Sequence, residues 1–289
     1  MRLVSANLNH ITAWSEANLP RTAELLRETN AEIIAIQECP SQTTLDAVAT
    51  ALGFDGCLGD EAHGNVRYAP ARFFTALLWS RSLTEIRKTD TYSAKTWHGY
   101  TTATLDHSDW PCPLSVISAH LNPFSSQIAL GEAQLLQSRL QRSGQPAVLL
   151  ADVNQIPLVG PEPDWEEIAP HVRAARTMFD VDRPDEIKAD RRVGLVFHRA
   201  GFTDVAAAMY ERTRNEAYLE PTGVHGGSRV DQIWTTKELT PTIRGYERLD
   251  HQGLTDHHPI AADLDLSAVA RFHDSQGQSF YPEEQTSPP

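Results

Sequence analysis

Cysteine is scarce in this chain of 289 residues: Cys39, Cys57 and Cys112 are odd in number and scattered, without metal-ligand spacing. That argues against a disulfide framework and a cysteine-rich zinc site, and isolated reduced thiols are expected. No run of about 18 apolar residues occurs, so no transmembrane helix and no stable membrane insertion are expected. Met1 to Asn7 lacks the apolar core of a secretory signal and reads as a strand, so a cytoplasmic protein is expected unless a leader has been removed. Positive charge is in deficit, with 25 Lys and Arg against 38 Asp and Glu, a formal net charge of −13. Such a surface repels polyphosphate at long range and disfavours broad nonspecific binding of duplex DNA. The local basic candidates, Arg191-Arg192 and Arg212 with Arg214, are short and read as solvated faces.

What is present is enough apolar sequence, 40% of residues, for a substantial core. The apolar runs Leu3–Asn9, Ile33–Ile36, Thr75–Trp79, Tyr100–Leu105, Leu114–Ala119, Ala147–Ala151, Val230–Trp234 and Ile260–Leu264 read as strands. Helices are predicted over Leu19–Thr29, Ser41–Leu52 (Ser41 as N-cap, Gly53 as stop), Gln127–Gln141, Trp165–Phe179 and Leu195–Ala200. This strand–helix–strand punctuation, with a hairpin-like pair of strands in the middle, predicts one layered α/β domain. It spans residues 1–266 and is followed by a polar tail over 267–289. No internal repeat or interdomain linker is evident.

Polar residues with chemistry gather where strands end. Asn7 and Asn9 close the first, Glu38 follows the second, and His120 follows Leu114–Ala119. Asp152 and Asn154 flank Val153 and share one side of an extended backbone. Asp231 stands inside a strand-like run, where a buried carboxylate needs a partner: a histidine, a backbone donor, or an arginine such as Arg229. Near the C-terminus, Leu254-Thr255-Asp256-His257-His258-Pro259 sets a carboxylate beside an imidazole. Taken singly, each reads as an Asx turn, a capping residue or a surface group. Together they supply amides, acids and imidazoles at strand ends, where α/β sheets gather ligands. A set rich in Asp, Glu and Asn without cysteine suits Mg²⁺ or Mn²⁺ rather than Zn²⁺.

The order Ser5-Ala6-Asn7-Leu8-Asn9, Ile36-Gln37-Glu38, Ser118-Ala119-His120-Leu121, Ala151-Asp152-Val153-Asn154, Arg229-Val230-Asp231-Gln232-Ile233 and Thr255-Asp256-His257-His258-Pro259 resembles the endonuclease/exonuclease/phosphatase (DNase I-like) superfamily. The resemblance covers roughly residues 1–266. It implies a four-layered α/β sandwich, two packed mixed sheets flanked by helices, and cleavage of phosphoesters with Mg²⁺ or Mn²⁺. By that resemblance Glu38, Asn7 and Asp256 hold the metal. Asp152 orients or deprotonates the attacking water. His257, its ring held by Asp231, acts on the water or a nonbridging oxygen. His120 stabilises the transition state, and Asn9, Asn154 and His120 contact substrate. Ala151, Val153 and Thr255 stand where the family usually has Gly, often Phe, and usually Ser.

The function expected is therefore a metal-dependent phosphoric ester hydrolase, a phosphatase or phosphodiesterase acting on a small metabolite, nucleotide or lipid headgroup. A DNA or RNA nuclease is the alternative, and a noncatalytic binding protein on the same fold the third reading. The substrate-selecting loops are expected at Gly59–Arg72, Tyr92–Tyr100, Pro157–Asp190 and Thr213–Gly227.

Overall fold

The structure, a computed structural model, describes residues 1–60, 73–88, 95–223 and 227–269. Much of the expected tail, and parts of the expected substrate loops, therefore lie outside the described residues. The strands, in chain order, are β1 (Arg2–Asn7), β2 (Ile33–Cys39), β3 (Phe54–Leu58), β4 (Phe74–Ser80), β5 (Thr84–Lys88), β6 (Tyr100–Asp106), β7 (Leu114–His120), β8 (Ala147–Asp152), β9 (Phe202–Asp204), β10 (Asp231–Thr236), β11 (Ile243–Arg248) and β12 (Ile260–Leu264). They form two six-stranded mixed sheets, ordered β11-β12-β1-β2-β4-β3 and β5-β6-β7-β8-β10-β9.

The helices are α1 (Leu19–Glu28), α2 (Gln42–Leu52), α3 (Ser126–Arg142), α4 (Pro170–Arg176), α5 (Arg192–Arg199) and α6 (Val205–Thr213). α1 links the parallel pair β1–β2 and α3 links the parallel pair β7–β8, the helical crossover that parallel strands require. The expected α/β sandwich is what the chain forms.

Side-chain alternation along the central strands explains the layering. Leu3 and Ile33 join an apolar cluster with Val116, Leu150 and Ile233 between the sheets, whereas Val4, Ile34 and Ile36 join Leu26, Leu45 and Val48 on α1 and α2. On the other outer face, Leu136 and Leu140 of α3 and Phe197 of α5 pack with Leu149 and Trp234. The period of two thus sends alternate residues to two different cores. A strand buried on both faces then reads as one continuous apolar run.

Polar side chains also cross between the sheets. The Gln37 amide donates to the Ser118 hydroxyl at 3.2 Å, and Ser118 donates to the Ile36 carbonyl at 3.0 Å. These bonds lie just inside the rim where the candidate residues stand.

Ser41 caps α2 by accepting from the Thr44 amide, and Gly53 closes it at φ 72°, as the sequence predicts. The expected helix over Trp165–Phe179 is shorter. Trp165 is held before it by an indole bond to Glu162, and Pro170 begins α4. α6, not legible as a helix, starts at Asp204, whose carboxylate accepts from the Ala206 and Ala207 amides. None of the three cysteines forms a disulfide among the described residues; Cys39 and Cys57 are buried. Val269, just past the expected domain end, packs into the core.

The arginines singled out in the sequence do not form a basic patch. Arg191 and Arg192 pair with Glu162 and Asp190, and Arg212 donates to the Ile243 carbonyl. Arg229 is fully buried and pairs with Asp204 at 2.6 Å, so it is not the partner of Asp231. Removing one member of a buried pair strands the other charge. Arg229→Met is expected to lower the unfolding free energy by about 3–5 kcal/mol in urea denaturation. A loss below about 1 kcal/mol would show that the pair does not anchor the entry to β10.

Candidate active site

The candidate residues meet at one end of the sandwich. In one sheet His120, Asp152 and Asp231 lie in register across β7, β8 and β10. In the other, the pairing of β1 with β2 ends at Asn7 and Gln37, with Glu38 next along β2. Asp256 and His257 immediately precede β12, which runs antiparallel to β1. Both sheets therefore contribute.

Asp152, buried at 1% exposure, is the hub. Its Oδ2 accepts from the Asn7 amide at 3.0 Å and lies 3.4 Å from His120 Nε2 and 3.9 Å from His257 Nε2. Its Oδ1 accepts from the Asn154 backbone N–H at 3.0 Å. Burial pushes the Asp152 carboxyl above its ordinary range, against the opposing pull of His120 and His257. A carboxylate so placed is a stronger base than a solvated one.

Beside it, His257 Nδ1 lies 2.9 Å from Asp231 Oδ2. Burial disfavours the imidazolium, but the Asp231 and Asp152 carboxylates overcome it and raise His257 to about 10. The ring is therefore a proton carrier at neutral pH, with Nδ1–H on Asp231 and Nε2–H toward Asp152. Thr255 sets this corner: its hydroxyl donates to the Asn7 carbonyl at 2.8 Å and accepts from the His257 N–H at 3.3 Å. A hydroxyl is retained where the resembled family usually has serine.

The Glu38 side differs. Glu38 adopts φ 63° within a register shift between Ile36 and Cys39. A β-bulge re-aims a side chain, and left-handed backbone at a non-glycine residue costs about 1–3 kcal/mol. Its carboxylate accepts from the His10 backbone N–H at 3.0 Å, contacts His10 Nδ1 at 2.8 Å, and accepts from the Asn7 amide at 3.4 Å. Burial would push Glu38 up, but the His10 ring bond, the His120 charge and the His10 backbone bond hold it at about 2. The His10 ring is raised in turn, chiefly by its bond to Glu38. Asn9, at φ 45°, donates its amide to Asp256 Oδ1 at 3.1 Å.

Three expected residues thus sit around one ionised carboxylate: Asn7 beside Glu38, and Asp256 reached through Asn9. A second group, Asp152, Asp231 and His257, offers ligand atoms within 4.8 Å of one another. Because His257 carries a proton there, that group suits proton transfer better than metal ligation.

Two expected substrate contacts are placed differently from their implied roles. Asn154, at φ 56°, turns its amide inward to the Leu121 carbonyl at 3.1 Å, and its own carbonyl accepts from Arg176 at 3.0 Å. It fixes the loop after β8. His120 is 4% exposed and stacks on His98 at 4.3 Å, so it faces Asp152 from inside the protein. Cavities of about 350 Å³ beside Tyr100 and Arg139, and about 650 Å³ beside Phe202 and Trp234, lie elsewhere. Neither holds an acid–imidazole pair in hydrogen-bond contact, so concavity alone does not mark the chemistry.

No family model and no curated protein matches this chain. Solved structures do. An AP endonuclease from Archaeoglobus fulgidus aligns over 92% of this chain and 99% of its own, at 18% identity and TM-score 0.60. The human nocturnin catalytic domain with a bound sulfate aligns over 92% and 94%, at 14% identity and TM-score 0.63. An endonuclease/exonuclease/phosphatase family protein from Bacteroides thetaiotaomicron aligns over 91% and 97%, at 14% identity and TM-score 0.59. The chain has the endonuclease/exonuclease/phosphatase fold. The resemblance read from six short segments is borne out at the level of fold.

Within that fold several residues of the site escaped the sequence reading. His10 was hidden because an imidazole after Asn7-Leu8-Asn9 has no periodic signal; only the π-type turn over Asn9–Ala13 brings it onto Glu38. The Thr222 hydroxyl oxygen accepts from the Asp231 N–H at 2.9 Å, at the start of β10. Glu132 of α3 braces two loops at the site, accepting from the Trp97 N–H and, at 2.7 Å, from the Asn122 N–H.

Burial raises the Glu132 carboxyl to about 7, although both backbone donors pull it down. The folded chain therefore keeps this proton to about pH 7, while the unfolded chain releases it near its ordinary value of 4.5. Between these, the folded state binds more protons, so this group's contribution to stability falls as pH rises. Wild-type stability is expected to fall by up to about 3 kcal/mol relative to Glu132→Gln between pH 4.5 and 7.5. Parallel urea curves at the two pH values measure it, and an unchanged difference would sink the assignment.

Proposed function

We propose that the chain is a divalent-metal phosphoesterase that uses water as nucleophile. The observation that supports it most is the Asp152 hub, one buried carboxylate touching Asn7, His120 and the Asp231-supported His257. The structural neighbours include an AP endonuclease and a mannosyl-6-phosphatase, so both nucleic-acid and small phosphoester substrates occur on this fold.

The residues fit a hard cation. Glu38 is ionised, Asn7, Asn9 and Asp256 add oxygen donors, and the neighbouring Cys39 side chain packs into the apolar core instead, a set suited to Mg²⁺ or Mn²⁺. Glu38, Asn7 and Asp256 would hold the ion. When bound, such an ion neutralises charge on phosphate oxygen and lowers the pKa of water. Asp152 takes the proton of the attacking water. As the water oxygen bonds to phosphorus, the P–O bond to the ester breaks and the departing oxygen takes up a proton from solvent; His257 donates from Nε2 to a phosphate oxygen, with Asp231 holding the ring through Nδ1–H. His120 and Asn7 fix the direction of the Asp152 carboxylate, and Asn154 fixes the loop that carries it.

The test is a panel of p-nitrophenyl phosphomonoester, p-nitrophenyl phosphodiester, single-stranded DNA and plasmid, each with Mg²⁺ or Mn²⁺ and with EDTA. EDTA-sensitive hydrolysis that is lost in Glu38→Ala and His257→Ala is expected. Absence of any such activity, or full activity in both variants, would overturn the proposal. Plasmid nicking at physiological salt outpacing the small esters would assign a nuclease.

A further inference from the structure

Eight large hydrophobic side chains stand exposed among the described residues. Seven of them lie on chain segments that leave residues bonded to the candidate site, and Ile86, on β5, does not. On one side Ile11, whose N–H donates to Asn9 Oδ1 at 3.3 Å, is 69% exposed. Phe124, 68% exposed, lies three residues beyond Leu121, the acceptor of the Asn154 amide; it packs edge-on to Trp97 at 6.0 Å. Ile128 follows in the first turn of α3.

On the other side, Arg176 donates to the Asn154 carbonyl, and the chain leaves it as an arm. Thr177 bridges Ala189, and the Met178 N–H donates to the Lys188 carbonyl at 2.9 Å. The arm carries Met178, Phe179, Val181 and Ile187, with Phe179 at 77% and Val181 at 90% exposure. The Phe124 segment and the arm both connect to Asn154, and Ile11 connects to Asn9.

Clusters of exposed apolar residues on soluble folds mark binding surfaces. The chemistry of this one discriminates among phosphoesters. Base recognition uses aromatic platforms with cations along the backbone. Here five of the seven side chains are aliphatic. The cations on the same segments are engaged by protein: Arg183 by Asp180 and Glu186, Lys188 by Glu186, Arg173 by the Trp165 carbonyl, and Arg176 by Asn154. The chain as a whole is strongly acidic.

We infer that the rim of this site binds the apolar tail of an amphiphilic phosphoester, with the phosphate directed to Asp152 and Glu38. The inference rests on the phosphoesterase reading for the position of the phosphate, and it names the substrate class of that same site. The tail is an alkyl or acyl chain, free in solution or presented by a lipid surface.

The experiment compares p-nitrophenyl phosphodiesters whose second ester is methyl, hexyl or dodecyl. All are used below their aggregation concentrations, on the full chain with Mn²⁺. At ~25 cal/mol per Å² of apolar surface removed from water, kcat/KM is expected to rise at least about tenfold from methyl to dodecyl. Phe124→Ser and the Phe179→Ser/Val181→Ser double variant change exposed positions and so spare the core; each is expected to shrink the dodecyl-to-methyl ratio severalfold. Calorimetric binding of dodecyl phosphate against methyl phosphate runs alongside and needs no turnover.

A flat ester series with equal binding of the two phosphates overturns the tail site while leaving the phosphoesterase reading intact. Tight dodecyl phosphate binding without hydrolysis of any ester supports the tail site and removes the phosphoesterase reading. Ratios unchanged in the variants, or a dithymidine phosphodiester preferred over the dodecyl ester, also overturn the tail site. Co-sedimentation with phosphatidylcholine vesicles assigns the tail to a lipid surface, and its absence with an intact chain-length effect assigns it to a monomeric amphiphile; either result supports the inference.

Discussion

Asp152→Asn is expected to lower kcat by about 10²–10⁴-fold, the range associated with a positioned acid or base. The substitution keeps the shape of the side chain and removes its charge. The charge is what three neighbours read: the Asn7 amide, His120 Nε2 and His257 Nε2 all approach Oδ2. Burial already lifts this carboxyl above its ordinary range, which makes it a stronger base than a solvated carboxylate. An amide can neither accept the water proton nor orient the two imidazoles. Saturation kinetics on the diester panel measure the loss, with a denaturation curve to show that the variant folds. A kcat within about threefold of wild type would remove Asp152 from the role of base.

Glu38→Gln is expected to weaken Mn²⁺ binding on the order of 10²-fold, because one of two carboxylates in the proposed ligand set is lost and affinity follows ligand charge. Titration by electron paramagnetic resonance reads free Mn²⁺ directly, without turnover. The substitution keeps the side-chain shape and can still accept from the His10 N–H, but it loses the charge paired with the His10 ring, so apo stability is expected to fall and a denaturation curve is run alongside to show that the variant folds. Metal-linked thermal stabilisation should disappear with the affinity. Unaltered Mn²⁺ affinity would move the ion to the Asp152, Asp231 and His257 group, where three ligand atoms already lie within 4.8 Å of one another.

The apolar runs foretold the central strands because residues such as Val116, Leu149 and Ile233 are buried in one core or another. The edge strands were not legible for the opposite reason. β11 buries only Ile243 and Tyr246 of its six residues, and β3 places glycine in its middle. An edge strand needs no long apolar signature, and charge along it protects against pairing with other chains. At the site, Asn7, Glu38, Asp152, Asp231 and His257 were legible because chemistry at successive strand ends accumulates even when each residue is ordinary. His10 and Glu132 were not, since each acts through a tertiary contact that no local spacing records. The inward turn of Asn154 was also invisible: its positive φ fixes where the amide points, and asparagine tolerates that conformation without advertising it.

The placement of the first strand carries a consequence for how the protein comes into being. β1 is not an edge; it lies between β2 and β12, with Val4 opposite Ala261. The strand made first must wait for a partner made about 250 residues later, and Asp256 and His257 reach Asn9 and Asp152 only when that partner docks. A nascent chain of 200 residues holds four of the six strands of each sheet but lacks Asp231, Asp256 and His257, so it cannot present a complete set of proton carriers. The proposed set of proton carriers is therefore assembled in a single closing step, when β12 docks on β1.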